Sequence, residues 1–382
     1  MLDARKLLSD SDGTRKENRT KIIRAIMCRP GSQSELVRRT GLSPATISSA
    51  VQEMRADRIV KNTNRPIELE QTTGVALGIS VGLHGVRVAG RLVHEPKDDI
   101  QLMTVSQGIS GGNGWVAETA EAVHTMTQSI GRHRADIATL GMAVPWAVHA
   151  RTLLPSDPVP TWADTRPVGR LLAEALALPP GDRIQVVIDT DARLAAFYEQ
   201  TYNHAFETML SVQVSAHVTG GLMLANTHVR GARGRAVSVG HLSVDLAGRE
   251  CWCGLRGCLE GYVTAPALLE EAFVKCHARQ VAPPGTIEEF ITRARDRDLV
   301  CLDVLRRAAV QLGRGLVSAT VAADQHAIVL GGTVAPGFEL VLDECRREMD
   351  RSGWAREVPV LIGELDAATH GALLLGLAGH LN

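Results

Sequence analysis

Apolar residues recur along this chain at two different periods. From Arg15, the segment RKENRTKIIRAIMCRPG places Ile22, Ile23, Ile26 and Met27 on one helical stripe and stops at Pro30-Gly31. SQSELVRRTG (32–41) predicts a short second helix, capped by Ser32 or Ser34, carrying Leu36 and Val37 and turned at Gly41. LSPATISSAVQEMRADRIV (42–60) predicts a third, with Ser43 as N-cap, Pro44 at the first helical position and Ile47, Val51 and Met54 on the buried face. IVKNTNRPIELE (59–70) reads as two short strands around a polar turn. Helix, short helix, turn, helix and hairpin form the plan of a winged helix-turn-helix, expected over residues 1–70.

Beyond residue 70 the pattern changes. GVALGISVGLHGVRVAGRLV (74–93) alternates apolar residues in two strand-length runs joined near Gly82–Gly85. Further strands are expected at 137–144, 184–188, 208–214 and 327–331. Helical stretches are expected at 115–130, 167–178, 191–201, 264–278, 299–322 and 338–351, with loops at the Pro- and Gly-rich 155–160 and 283–285. Strands interleaved with amphipathic helices predict an α/β body over 71–382, long enough for two lobes.

Composition changes this picture little, and charge changes it more. Hydrophobic residues make up 45% of the chain and aromatics only 3%, so the core must be built mainly from Leu, Val, Ile and Ala. The net charge of −1 hides an asymmetry: residues 1–70 carry +5 and the remainder −6. A basic head on an acidic body suits a protein of which only one domain meets a polyanion. On the third helix the outward positions are Ala45, Thr46, Ser48, Ser49, Gln52 and Arg55. Such side chains suit base edges in a major groove, while Arg38, Arg39, Lys61 and Arg65 are placed for phosphates. A three-helix interaction module with a solvated basic face is the alternative. No apolar run is long enough to span a bilayer and the N-terminus is charged, so no membrane insertion and a cytoplasmic location are expected.

The remaining chemistry lies in GHLSVDLAGRECWCGLRGCLE (240–260), which puts three of the seven cysteines within eight positions. Cys28, Cys276, Cys301 and Cys345 stand singly in helical segments and read as buried small hydrophobes. In the cluster, a Cys-x-Cys disulfide would be strained and no Cys-x-x-Cys redox pair exists. Zinc takes four tetrahedral thiolate and imidazole ligands, and His241, Cys251, Cys253 and Cys258 supply one set, with Gly254 and Gly257 allowing the turns. A metal-free, reduced loop is the alternative.

Gly240-His241 followed by Cys251-x-Cys253-Gly254-x-x-Gly257-Cys258-Leu259-Glu260 resembles the signature of the ROK family, the repressors, open reading frames and sugar kinases. VALGISVG, VIDTDARLAAFYE, VRGARGRAVSVGH, IVLGGTV and DAATHGALLLGLAG fall in the family's order, so the resemblance runs from residue 15 onward. It implies a two-lobed actin-like, sugar-kinase-type body with a ligand cleft and one structural zinc per chain held by the four residues above. One nitrogen of His241 would bind the metal and the other would face the ligand. The family's catalytic base matches Asp191, but its Asn partner is Thr190, and the sugar-gripping Glu of its GE-x-GH motif is Ser238. Glu260, a second sugar-contacting position, is retained. By the residues alone, Asp191 could equally be a helix N-cap and Glu260 a surface acid.

The ATP-binding elements depart further. The family's Asp-x-Gly-Gly-Thr loop reads Ser80-Val81-Gly82-Leu83-His84, its second phosphate loop reads SAHVTGG (215–221), and only Gly331-Gly332 survive of the adenosine-side motif. Trp146-Ala147 interrupts a VPGP segment. Residues 190, 191, 238, 241 and 260 are therefore expected to hold an effector rather than to catalyse, the effector being sugar-like or another metabolite. The sequence predicts a transcriptional regulator, a repressor by type, binding double-stranded operator DNA as a homodimer or tetramer. A sugar kinase with a DNA-binding head and a regulator controlled by a protein partner are the alternatives.

Overall fold

The computed structural model describes residues 3, 4, 7, 14–62, 66–83, 85–105, 114–149, 151–156, 159, 163–178, 186–204, 206–225 and 227–379. They divide into two compact units: Met1–Ala143 with Arg166–Ile188 and Thr369–Asn382, and Val144–Thr165 with Asp189–Ala368.

The first unit opens with helices α1 (Thr14–Cys28), α2 (Gln33–Thr40) and α3 (Pro44–Ala56). Ser32 caps α2 in a reciprocal capping box with Glu35, and Gly41 closes it in the left-handed conformation. Ser43 caps α3 through the Thr46 amide at 3.1 Å. The predicted stripes, Ile22, Ile23, Ile26, Met27, Leu36, Ile47, Val51 and Met54, are all buried. The expected hairpin is looser than two strands: single antiparallel bridges join Val60 to Leu69 and Gly31 to Ile67. The 1–70 segment lies in one unit with part of the expected body. Arg24 Nη1 donates to Leu377 O at 3.1 Å, and the buried Arg91 donates to Met27 O at 2.8 Å.

The rest of this unit is a five-stranded sheet ordered β3 (Gln101–Val105), β2 (Val86–Leu92), β1 (Val75–Val81), β4 (Ile137–Val144) and β5 (Val186–Thr190). β4 is buried at every position, because helices cover the sheet; α4 (Trp115–Ser129) and α5 (Val168–Ala175) belong to this unit, with the C-terminal helix α13 (Ala367–Ala378). That last helix lies so close to β4 that a Cβ at Gly141 would fall 1.9 Å from Ala372 O.

The second unit repeats the plan. Its sheet is ordered β8 (Thr227–His228), β7 (Val218–Leu224), β6 (Met209–Val214), β9 (Ala327–Gly331) and β10 (Val360–Ile362). In both sheets the central strand, β1 or β6, is antiparallel to one neighbour and parallel to the other. Helix α6 (Asp191–Tyr202) follows β5 directly. α7 (Glu260–Val263), α8 (Ala265–Ala278), α9 (Ile287–Arg295), α10 (Leu299–Ala323), α11 (Ala335–Glu339) and α12 (Leu342–Asp350) complete the unit. Phe290, Leu305, Leu312 and Phe338 are among the residues of its aliphatic core.

Two expectations are corrected here. SAHVTGG is no loop: only residues 215–217 turn, and Val218 onward is strand β7. The helix expected at 338–351 is two helices broken at Leu340-Val341, where the buried Val341 leaves helical geometry. Strands β3, β7, β8 and β10 and helices α7, α9 and α13 lie outside the expected elements.

Candidate functional site

The segment after β8 builds the site. His241 ends a 3-10 turn (Val239–His241), and the chain then makes a small hairpin whose bridges pair Ser243 with Cys258 and Glu250 with Arg256. Gly254 and Gly257 take positive φ of 89° and 68° at its turns. A Cβ at Gly257 would meet Asp245 O at 1.6 Å, so only glycine fits there. The result brings the ligand atoms of His241, Cys251, Cys253 and Cys258 within 4.8 Å of one another. Cys253 and Cys258 Sγ are 3.7 Å apart, and Cys251 Sγ is 3.6 Å from His241 Nδ1. Tetrahedral zinc, with bonds of about 2.3 Å to sulfur and 2.0–2.1 Å to nitrogen, demands edges of about 3.5–3.8 Å. The four residues therefore form a cluster that could hold a metal ion, and these two edges have the length a tetrahedral zinc site would need.

Beside the cluster is a pocket of about 480 Å³ within the second unit, and Thr190, Ser238, His241 and Glu260 line it. Trp146 and Ala147 line it too. Thr190 is the N-cap residue of α6, and its hydroxyl donates to Trp146 O at 3.2 Å. The N-cap alternative for Asp191 is thus corrected, since Asp191 is the first residue inside the helix. Asp191 is half-buried behind the wall, not on it: its Oδ1 accepts from Thr219 Oγ1 at 2.5 Å and from the Ala192 amide at 2.7 Å. Burial pushes its pKa up to about 6, against the pull of those two hydrogen bonds.

Glu260 is buried rather than a surface acid. Its Oε2 accepts from the Val218 amide at 3.1 Å, and its Oε1 from Trp252 Nε1, with His217 Nδ1 3.5 Å away. Burial would raise its pKa, but bonds from His217, Trp252 and Val218 hold the carboxyl below its ordinary value. Trp252 also sets its ring edge-on to His241, at 4.9 Å between centroids. The metal-type loop and the pocket are therefore one construction.

Sequence reasoning missed a buried ion-pair network beneath it. Arg193 Nε donates to Asp189 Oδ1 at 2.6 Å and its Nη1 to Gly234 O at 3.0 Å, while Arg230 pairs with Asp189 Oδ2 at 2.9 Å. The i, i+4 spacing of Asp189 and Arg193 was the available signal, but it looks like any surface helix pair. This network anchors the 230–241 loop. In that loop Val237 has φ of 61°, a left-handed conformation costing roughly 1–2 kcal/mol for a residue with a Cβ, where the GE-x-GH signature has glycine. Ser238 is exposed, and its hydroxyl donates to Arg235 O at 2.9 Å.

In the head, Ala45, Ser49 and Gln52 are exposed along α3, and Thr46, Ser48 and Arg55 are half-buried beside them. Arg38 is exposed. One expected phosphate contact is corrected, that of Arg39. Arg39 turns inward, donating to Ala25 O at 3.1 Å and to Arg29 O, where it satisfies carbonyls at the end of α1. Lys61 is paired with Glu68 at 2.8 Å across the hairpin. Arg65 and His84 lie outside the described residues.

A Bacillus spizizenii xylose repressor is 22% identical over 90% of this chain and 88% of its own length. A solved ROK family transcriptional regulator, a homologue of the E. coli MLC protein, superposes with a TM-score of 0.71 at 16% identity, covering 94% of this chain and 96% of its own. A Streptomyces griseus ROK glucokinase solved with glucose and AMPPNP gives a TM-score of 0.68 at 23% identity, covering 79% of this chain and 99% of the enzyme. These likenesses establish the sugar-kinase-type fold of the body. The model of the ROK family matches residues 105–371, and the chain belongs to that family.

Proposed function

We propose that this protein is a sequence-specific transcriptional repressor whose operator binding is set by a small molecule in the pocket of a non-catalytic, sugar-kinase-like body. One observation carries the reading: similarity to a xylose repressor extends over 90% of the chain, so it reaches into the winged head as well as the body. The glucokinase likeness covers 79%. α3 would enter the major groove with Gln52 and Arg55 as base readers, assisted by Ala45, Thr46, Ser48 and Ser49, and Arg38 would meet phosphate. Two heads on a homodimer would read half-sites of a two-fold operator. The effector acts by binding the two states of the protein unequally, with a coupling of about 1–3 kcal/mol in ordinary cases.

His241, Cys251, Cys253 and Cys258 would hold one zinc ion. With four protein ligands it has no open position, so it supplies structural stability and fixes the His241 ring, not an activated water.

A kinase is the second reading, favoured by Asp191, whose carboxyl is pushed towards neutral pH where a general base works well. Against it stand Ser80 in place of the acid expected to organise magnesium and a strand in place of the second phosphate loop.

Selection of bound duplexes from a random DNA library tests the repressor reading. Enrichment of a two-fold motif is the expected result. Gln52→Ala or Arg55→Ala should then relax preference at particular base pairs by about 1–3 kcal/mol. Equal weakening on every duplex would refute their role as readers, and the lack of any enriched motif would overturn the function.

A further inference from the structure

The donors and acceptors facing the pocket are unequally committed, and the imbalance identifies the ligand's chemistry. Glu260 spends both oxygens on protein donors: Oε2 on the Val218 amide, Oε1 on Trp252 and His217. Asp191 lies behind Thr219, whose hydroxyl it already accepts. Thr190 and Ser238 donate to backbone carbonyls. Arg193 is wholly engaged by Asp189 and Gly234 O. Arg235 differs. It lines the pocket, is half-buried, and its guanidinium makes no hydrogen bond or ion pair among the described residues.

Arg235 thus brings to the pocket an uncommitted positive charge on a guanidinium fork, which has five N–H donors and no acceptor. A neutral polyol can exchange hydrogen bonds with hydroxyls such as those of Thr190 and Ser238, which keep acceptor lone pairs, but it gives a guanidinium no counter-charge. An oxyanion needs only donors and meets a guanidinium through two parallel bonds. We propose that the pocket binds a small organic oxyanion, a carboxylate or a phosphate ester, and that Arg235 is the residue that recognises it. At about 480 Å³ the pocket falls in the small-molecule range, and Trp252 and Leu255 offer apolar surface to the ligand's body. This inference rests on the reading of the pocket as the effector site.

Thermal shift and titration calorimetry on the full chain without DNA test it, at matched ionic strength. Gluconate and glucuronate probe the carboxylate, glucose 6-phosphate the phosphate ester, and glucose and xylose the neutral body. The expected result is stabilisation by at least one anion and none by its neutral counterpart; which anion wins assigns the carboxylate or the phosphate. Arg235→Gln should weaken that anion on the order of 10-fold or more, Arg235→Lys less, and Arg233→Gln, at an exposed arginine off the pocket wall, not at all. The proposal is overturned if neutral sugars stabilise as well as anions, if no anion stabilises, or if a folded Arg235→Gln binds as wild type. A parallel mobility-shift assay separates the two ideas. Anion binding that leaves operator binding unchanged refutes only the regulatory reading.

Discussion

Asp191 and Glu260 are two carboxyls of one site, yet their surroundings act on them in opposite directions. Glu260 receives three donors and is held below its ordinary pKa; Asp191 receives two and is pushed up to about 6, because burial outweighs them. For Asp191 the folded pKa lies above the ordinary 3.8. Its protonated form is therefore favoured by folding, the benefit is complete below pH 3.8, and it is lost as pH rises through about 6. Above that the folded protein carries an ionised, half-buried carboxylate at a cost of roughly 1–2 kcal/mol, less than the full shift implies because of its partial exposure. Asp191→Asn should consequently raise Tm at pH 8 and leave it nearly unchanged at about pH 3.5, below both pKa values. Equal Tm values for variant and wild type at both pH values would remove this account. None of this was legible from residue identities: an Asp at the start of a helix looks like a cap, and only the backbone places Thr190 there instead.

At the scale of elements, local sequence worked best where it needs no partner. The caps Ser32 and Ser43, the apolar stripes of α1 to α3 and the two glycine turns of the cysteine hairpin all follow from backbone preferences and period. The four-ligand cluster was legible for the same reason, since ten residues separate His241 from Cys251 and a hairpin returns the chain. If it holds zinc, Cys253→Ser should lower metal content and Tm together, by roughly 5 °C, as read by atomic emission and thermal melting. A metal-free variant melting like wild type would show that the ion is dispensable. SAHVTGG failed as a loop because glycines suggest a turn, whereas here they are close-approach sites. A Cβ at Gly221 would strike Ala192 O at 2.3 Å, so the glycine serves the packing of β7 on α6. That packing is invisible one segment at a time.

At the scale of the whole molecule, each unit carries one part of the proposed function. The head is bonded within the first unit, through Arg24 to the end of α13 and through Met27 to Arg91. The pocket and the cysteine cluster belong to the second. The rival activity is also decided at this scale. Purified protein with ATP, magnesium and a panel of hexoses should form no sugar phosphate above background, and turnover abolished by Asp191→Asn would replace the repressor reading with the kinase one. Among the described residues no helix is long and apolar enough to cross a membrane. What the sequence by itself determined was the family, the head, the α/β body and the metal-type ligand set, because period, capping and short-range spacing are local properties of the chain. The tertiary structure alone decided which polar groups are already spent. Arg39 is turned inward, both oxygens of Glu260 already accept, and Arg235 is left available, because hydrogen-bond partners more than a few residues apart are assigned only when the chain has folded.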